Sequence, residues 1–148
     1  MNAKAIIMSH KIKTEWKGKM AFNSSVIGGE VTLDADDAVG GEGNGVRPKA
    51  LMLSSLSGCT GMDVASLMKK MRTDESVSKF TVDVEGNLTE EHPKVYDKVH
   101  VIYTFEGKEM NQAKLEKAVN LSIERYCGVF EMFRQFATVT HEINFIEE

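Results

Sequence analysis

Between Pro48 and Arg72 the chain places Leu53, Leu56, Val64, Leu67, Met68 and Met71 at spacings that share one side of a 3.6-residue helix. A helix with such a stripe is buried along it. Pro48 suits the first helical position, where its missing N–H costs nothing, and the flexible run Gly40-Gly41-Glu42-Gly43-Asn44-Gly45 before it reads as a connector. Gly58 and Gly61 flank Cys59 inside this run, which predicts two helices meeting at a bend with the cysteine at the break.

Strand patterns stand on both sides of this helix. From Lys11 to Asp36, Ile12, Thr14 and Trp16 alternate with charged residues, and Met20 to Val26 and Glu30 to Leu33 follow, giving three short strands. Phe80, Val82 and Val84, then Val99, Val101, Tyr103 and Phe105, alternate across the His92-Pro93 turn as a plausible hairpin. A second helix opens at Asn111 as N-cap, with Met110 and Leu115 placed as a hydrophobic staple. Its apolar stripe reads Leu115, Ala118, Val119, Ser122, Tyr126, Val129, Phe130, Phe133 and Ala137, which sets Cys127 on its flank, deep within the helix. Val139, His141, Ile143 and Phe145 close the chain as a strand. The expected class is α+β in the order βββ-α-ββ-α-β, as one domain over residues 1–148.

A length of 148 residues with 42% hydrophobic side chains suffices for a core without metal or disulfide staples. The net charge of −4 provides no basic field to gather phosphates, so nucleic acid is not the expected partner. No run approaches the roughly 20 apolar residues of a membrane span, and Ala5-Ile6-Ile7-Met8 is too short for the apolar core of a secretory signal. A soluble, cytoplasmic protein without membrane attachment is expected, with its two cysteines as free thiols.

Cys59 and Cys127 are therefore the candidates for chemistry. A thiol reacts as thiolate, which a helix N-terminus or a cation stabilises. A break at Gly58 would offer Cys59 free backbone N–H groups, while Asp63, one turn later, would oppose the charge. On the residues alone, Cys59 reads equally as a small buried hydrophobe, and Cys127, in an apolar helix with Phe130, Phe133 and Phe136, reads more readily as core than as chemistry. Neither CxxC spacing nor paired zinc-ligand spacing joins them, and His10, His92, His100 and His141 show no metal-ligand spacing, so no cofactor or metal is expected. The Gly-rich loop lacks the Gly-Lys-Ser/Thr ending of a phosphate-binding loop.

The segment from Gly45 to Asp63, with Ser57-Gly58-Cys59-Thr60-Gly61 at its centre, resembles the first cysteine helix of the OsmC/Ohr family. Tyr126-Cys127-Gly128-Val129 resembles that family's second cysteine site, and the element order agrees along the whole chain. The resemblance implies an intertwined homodimer with central helices wrapped by antiparallel sheets. It also implies a thiol-dependent peroxidase acting on organic hydroperoxides, or on H₂O₂, in oxidative-stress defence, with an apolar pocket beside the thiol. Cys59 would attack the peroxide and become a sulfenic acid, Cys127 would resolve it as a disulfide, and an external dithiol, a lipoyl protein or a thioredoxin-like one, would reduce that disulfide. A non-catalytic family member binding a small hydrophobic or electrophilic ligand is the alternative.

Two departures bear on that mechanism. Family members carry a glutamate directly after the proline of the first cysteine helix, holding an N-terminal arginine against the thiolate. Here Lys49 follows Pro48, and the N-terminal turn reads Trp16-Lys17-Gly18-Lys19-Met20, so the carboxylate–arginine clamp is absent as written. Along an unbroken helix Lys49 would stand about 15 Å from Cys59, ten residues at ~1.5 Å each, and could assist only if the chain bends. Arg47 and Arg125 are the other candidate cations.

Overall fold

The computed structural model describes residues 9–148. The Ala5–Met8 stretch weighed above as a signal core lies outside them. The chain divides into two compact units, residues 1–51 and 52–148.

In the first unit, β1 (Lys13–Gly18), β2 (Ala21–Val26) and β3 (Gly29–Leu33) form the three expected strands, an antiparallel meander in that order. Tight turns join them, with Gly18 and Gly28 at φ 105° and 93°, backbone angles that a side chain would strain. Trp16 and Phe22 stand exposed on this sheet, and Met20 and Ile27 in its turns.

The Gly-rich connector is organised from within by Asp34. Its buried carboxylate accepts the backbone N–H of Ala35 at 2.8 Å, of Asn44 at 3.1 Å and of Glu42 at 3.2 Å. Gly41 and Gly43 donate theirs to the carbonyls of Asp36 and Ala35. The N–H group of Asn44 is foremost in holding Asp34 below the usual carboxylate range, against a desolvation penalty that acts the other way. With its amides turned inward onto one carboxylate, the loop is a connector, and a phosphate would find these donors already taken.

Helix α1 (Pro48–Lys70) begins at Pro48, as expected, and runs unbroken. The predicted bend at Gly58 and Gly61 is absent. Interior glycines cost about 1 kcal/mol each relative to alanine, whereas burial of Leu56, Val64, Leu67 and Met68 on the apolar stripe is worth about 1.5–3 kcal/mol per side chain. Packing outweighs propensity.

In the second unit, β4 (Val77–Leu88) and β5 (Tyr96–Gly107) form the antiparallel hairpin, and β6 (Thr138–Glu147) adds to the other edge of β5. The last pairing is parallel, Lys98 opposite Thr138 through Gly107 opposite Glu147, so this sheet is mixed rather than wholly antiparallel as the resemblance implies. The reason is topological: the chain leaves the end of β5, crosses back through α2 (Gln112–Leu121) and α3 (Gly128–Arg134), and re-enters beside the start of β5. As the central strand, β5 buries Val99, Val101, Tyr103 and Phe105 on one face, and these join Leu56, Leu115 and Phe130 in one core. Phe80, Phe105 and Phe145 pair in register across the three strands, with centroids 4.5 and 5.7 Å apart.

The second helix starts as the sequence indicates, with the Asn111 side chain accepting the N–H of Lys114 at 3.1 Å and Met110 and Leu115 both buried. It does not continue as one helix. After α2 comes a π-helical turn over Ser122–Tyr126, and α3 starts afresh. No helix of the described residues is long and apolar enough to cross a membrane.

Truncation of Phe105 to alanine is expected to lower the unfolding free energy by about 3–5 kcal/mol, and Asn111→Ala by about 1 kcal/mol, as read from urea denaturation midpoints. Similar losses for the two would contradict the placement of Phe105 at the centre of the ring row.

Candidate functional site

The π turn decides where Cys127 points. In an α-helix Tyr126 would stack over Ser122, four residues on, which is why regular periodicity puts Tyr126 on the buried stripe. Here the N–H of Cys127 bonds the carbonyl of Ser122 at 2.8 Å, an i to i+5 contact that inserts one extra residue into the turn. Cys127 and Ile123 are consequently buried, at 3% and 6% exposure, while Tyr126 is 55% exposed. Cys127 is not interior to a helix; it is the N-cap of α3, with extended backbone, and its sulfur accepts the N–H of Phe130 at 3.3 Å. Arg134 braces the break from the last turn of α3: Nη1 donates to the Ile123 carbonyl at 3.0 Å and to Glu131 Oε2 at 3.2 Å, with the guanidinium 4.7 Å from the Phe130 ring centroid.

Cys59 lies mid-way along α1, half-buried, with its thiol free. The two cysteines, far apart in sequence, meet. Burial pushes the Cys127 thiol up to about 12 from an ordinary 9.0; the Phe130 N–H works against this, and a hydrogen bond to Cys59, the charge of Cys59 and that of Asp63 add to the rise. Cys127 is thus the sheltered, protonated thiol of the pair.

Beside the thiols runs a chain of hydroxyls. Thr60 Oγ1 lies 2.8 Å from Tyr103 Oη and 2.8 Å from Ser122 Oγ, and Ser122 Oγ donates to Asp63 Oδ2 at 3.0 Å. Thr60, Ser122 and Tyr103 are all fully buried. A carboxylate only accepts, so the order of protons follows: Ser122 donates to Asp63, Thr60 to Ser122, and Tyr103 to Thr60. Burial pushes the Tyr103 phenol up from 10.0 to about 12; the bond with Thr60 acts against it, and the charges of Cys127 and Asp63 act with it.

The candidate cations are engaged close to home. Lys17 pairs with Glu15 at 3.0 Å, Lys19 with Glu42 at 2.6 Å, and Arg47 with Asp36. The hydrogen bond to Glu42 raises the pKa of Lys19. Helix α1 is continuous from Pro48 past Cys59, with ten residues at ~1.5 Å each between Lys49 and the cysteine. Arg125 shares with Cys127 a cavity of about 300 Å³ that is also lined by Ile123, Glu124, Tyr126 and Glu131. Three charged side chains, Glu124, Arg125 and Glu131, share that lining with Ile123, Tyr126, Cys127 and Gly128, so it is mixed rather than the apolar pocket the resemblance implies.

Residues 41–142, a stretch holding both cysteines and the whole hydroxyl chain, match the family model described as OsmC-like protein. The chain belongs to the OsmC family. Protein YhfA of Escherichia coli K12 is 27% identical over 134 residues, spanning 87% of this chain and 92% of its own. A hypothetical protein of Aquifex aeolicus has a crystal structure that superposes with a TM-score of 0.77 at 28% identity, over 94% of this chain and 98% of that one. The organic hydroperoxide resistance protein OhrB of Bacillus subtilis shares the fold, with a TM-score of 0.60 at 18% identity over 93% and 98% of the two chains.

Within this OsmC chain the histidines stay clear of the thiols' hydrogen bonds. His100 bonds Thr140 at 2.7 Å and Glu142 at 3.1 Å on the sheet, and no cluster of His, Cys, Asp and Glu among the described residues could hold a metal. Sequence reasoning missed Thr60, Tyr103 and Arg134, and took Ser122 as a plain stripe residue. The signal for Thr60 was present: it falls in line with Leu56 and Val64, a polar side chain on an apolar stripe, which must find a buried partner. For Arg134 there was none, since its role exists only because of the π turn.

Both the Cys127 thiol and the Tyr103 phenol hold their protons more tightly in the folded state than in the unfolded chain. The stability this confers is complete below pH 9 and is lost as pH rises toward 12. The urea midpoint is expected to fall steadily above pH 9, and to fall less steeply in Cys127→Ser; parallel pH courses for the two proteins would count against the buried thiol.

Proposed function

We propose that this OsmC-family protein is a thiol-dependent peroxidase for organic hydroperoxides, and for H₂O₂ as a smaller substrate, acting in oxidative-stress defence in the cytoplasm. The observation that carries the reading is the meeting of a half-buried Cys59 with a buried, protonated Cys127 across two separate helices. Accessibility divides the roles: the thiol that a peroxide reaches is the nucleophile, and the sheltered one resolves.

In the first step the Cys59 thiolate, accepting the Cys127 S–H, attacks the outer oxygen of ROOH. The S–O bond forms as the O–O bond breaks, sulfur is oxidised to the sulfenic acid, and RO⁻ takes a proton to leave as ROH. In the second, Cys127 loses its proton and attacks the Cys59 sulfur. The S–S bond forms, the S–O bond breaks, and hydroxide leaves with that proton as water. An external dithiol, borne by a lipoyl or thioredoxin-like protein, returns the disulfide to two thiols and is itself oxidised. Charge stabilisation here falls to the Cys127 S–H in place of the family's carboxylate–arginine clamp. Large apolar side chains exposed in the first unit, Trp16 on β1 and Ile27 in the β2–β3 turn at 64% and 68%, support the homodimer as the working form, with residues 1–148 acting as a single domain.

A second reading is favoured by the local pairing of Lys17, Lys19 and Arg47 with carboxylates: a family member without turnover that holds a small hydrophobic or electrophilic ligand. Native mass spectrometry of the purified dimer would then find the ligand, with no peroxide consumed.

Consumption of cumene hydroperoxide in the presence of a dithiol separates the two. Wild type is expected to turn over, Cys59→Ser to fall to the uncatalysed rate, and Cys127→Ser to reduce one equivalent and stop at a sulfenic acid that dimedone traps. Equal rates for wild type and Cys59→Ser would refute the assignment.

A further inference from the structure

Cys59 and Cys127 sit on helices with no covalent tie near them, yet a pair that forms a disulfide needs its sulfurs placed to within a fraction of an ångström. Two hydrogen bonds make the connection. Cys59 is followed directly by Thr60, whose Oγ1 contacts Ser122 Oγ at 2.8 Å; the carbonyl of the same Ser122 accepts the Cys127 N–H at 2.8 Å. Through one serine the backbone beside the first cysteine is joined to the backbone of the second. We propose that Thr60 and Ser122 are positioning residues that lock the Cys59–Cys127 pair in reach of a disulfide, with Tyr103 and Asp63 fixing which way their hydroxyl protons point.

Every group in the lock is accounted for. Ser122 Oγ donates to Asp63 at 3.0 Å, with the Thr60 carbonyl a longer second acceptor at 3.5 Å, and accepts from Thr60; Thr60 Oγ1 donates to Ser122 and accepts from Tyr103. Since all three hydroxyls are buried away from water, no solvent molecule competes for these positions. Loss of either inner hydroxyl removes the Thr60–Ser122 contact and frees α1 to shift against the π turn, although Ser122 keeps Asp63 and Thr60 keeps Tyr103. The thiols would remain in the protein, but their effective concentration for one another would drop.

The inference rests on the two-cysteine cycle proposed above, and its test reads the pair without peroxide. The protein is oxidised with diamide and equilibrated in dithiothreitol redox buffers, and the Cys59–Cys127 disulfide is quantified by mass spectrometry after alkylation. Thr60→Val, which keeps the volume and removes the hydroxyl, and Ser122→Ala are each expected to lower the equilibrium constant for the disulfide about tenfold, a potential less negative by ~30 mV. Thr60→Ser restores the hydroxyl and should lie within about twofold of wild type. The double variant should be no worse than either single one, because both remove the same contact. Should Thr60→Val fail to fold, Ser122→Ala removes the contact from the other side. Wild-type behaviour of Thr60→Val and Ser122→Ala, an equal shift in Thr60→Ser, additive effects, or no intramolecular disulfide in wild type would each overturn the lock. Shifts as stated in a protein that consumes no hydroperoxide would sink the peroxidase reading and leave the lock standing.

Discussion

The hydrogen bond from the Cys127 N–H to the Ser122 carbonyl is the hinge on which the site is built. It widens one turn of helix by a residue, and everything downstream rotates with it: Cys127 goes inward, Tyr126 goes outward, and α3 starts with a cysteine as its cap. A π turn leaves backbone groups badly served, and the chain compensates from the far side, where Arg134 reaches back to the Ile123 carbonyl. The turn is also where Ser122 meets Thr60, so the same irregularity that aims one cysteine ties it to the helix of the other.

The electrostatics of the pair follow from burial rather than from a neighbouring cation. Desolvation keeps Cys127 protonated, and a protonated thiol beside Cys59 supplies the hydrogen bond that a thiolate there requires. Such a donor is weaker than a guanidinium, and the charge of Asp63 bears on the pair with the wrong sign for a thiolate. The cavity at Cys127 mixes Glu124, Arg125 and Glu131 with Ile123 and Tyr126, which sets it apart from an apolar pocket shaped only for a hydrocarbon tail.

Much of the architecture was legible before the structure. The strands over residues 13–33, the β4–β5 hairpin, the Pro48 start of α1 and the Asn111 cap of α2 come from alternation, capping and turn residues, signals that act within a few positions. The family, too, could be read from the cysteine segments. The bend expected at Gly58 did not form, because glycine's local preference is worth about 1 kcal/mol and the apolar stripe of α1 buries several times that. The parallel placement of β6 depends on where a crossover lands, which no local pattern encodes.

By itself the sequence determined which residues are the candidates for chemistry and which elements hold them, since thiols, caps and periodicity are properties of short stretches. Only the tertiary structure decided that Cys59 and Cys127 meet, which of them is sheltered, and that Thr60, Ser122, Tyr103 and Asp63 form one hydroxyl chain beside them. The physical reason is that a π turn and a buried hydroxyl network are both solutions to packing: each exists because a distant surface must be filled and a buried polar atom must be satisfied, and neither demand is written in the residues near it.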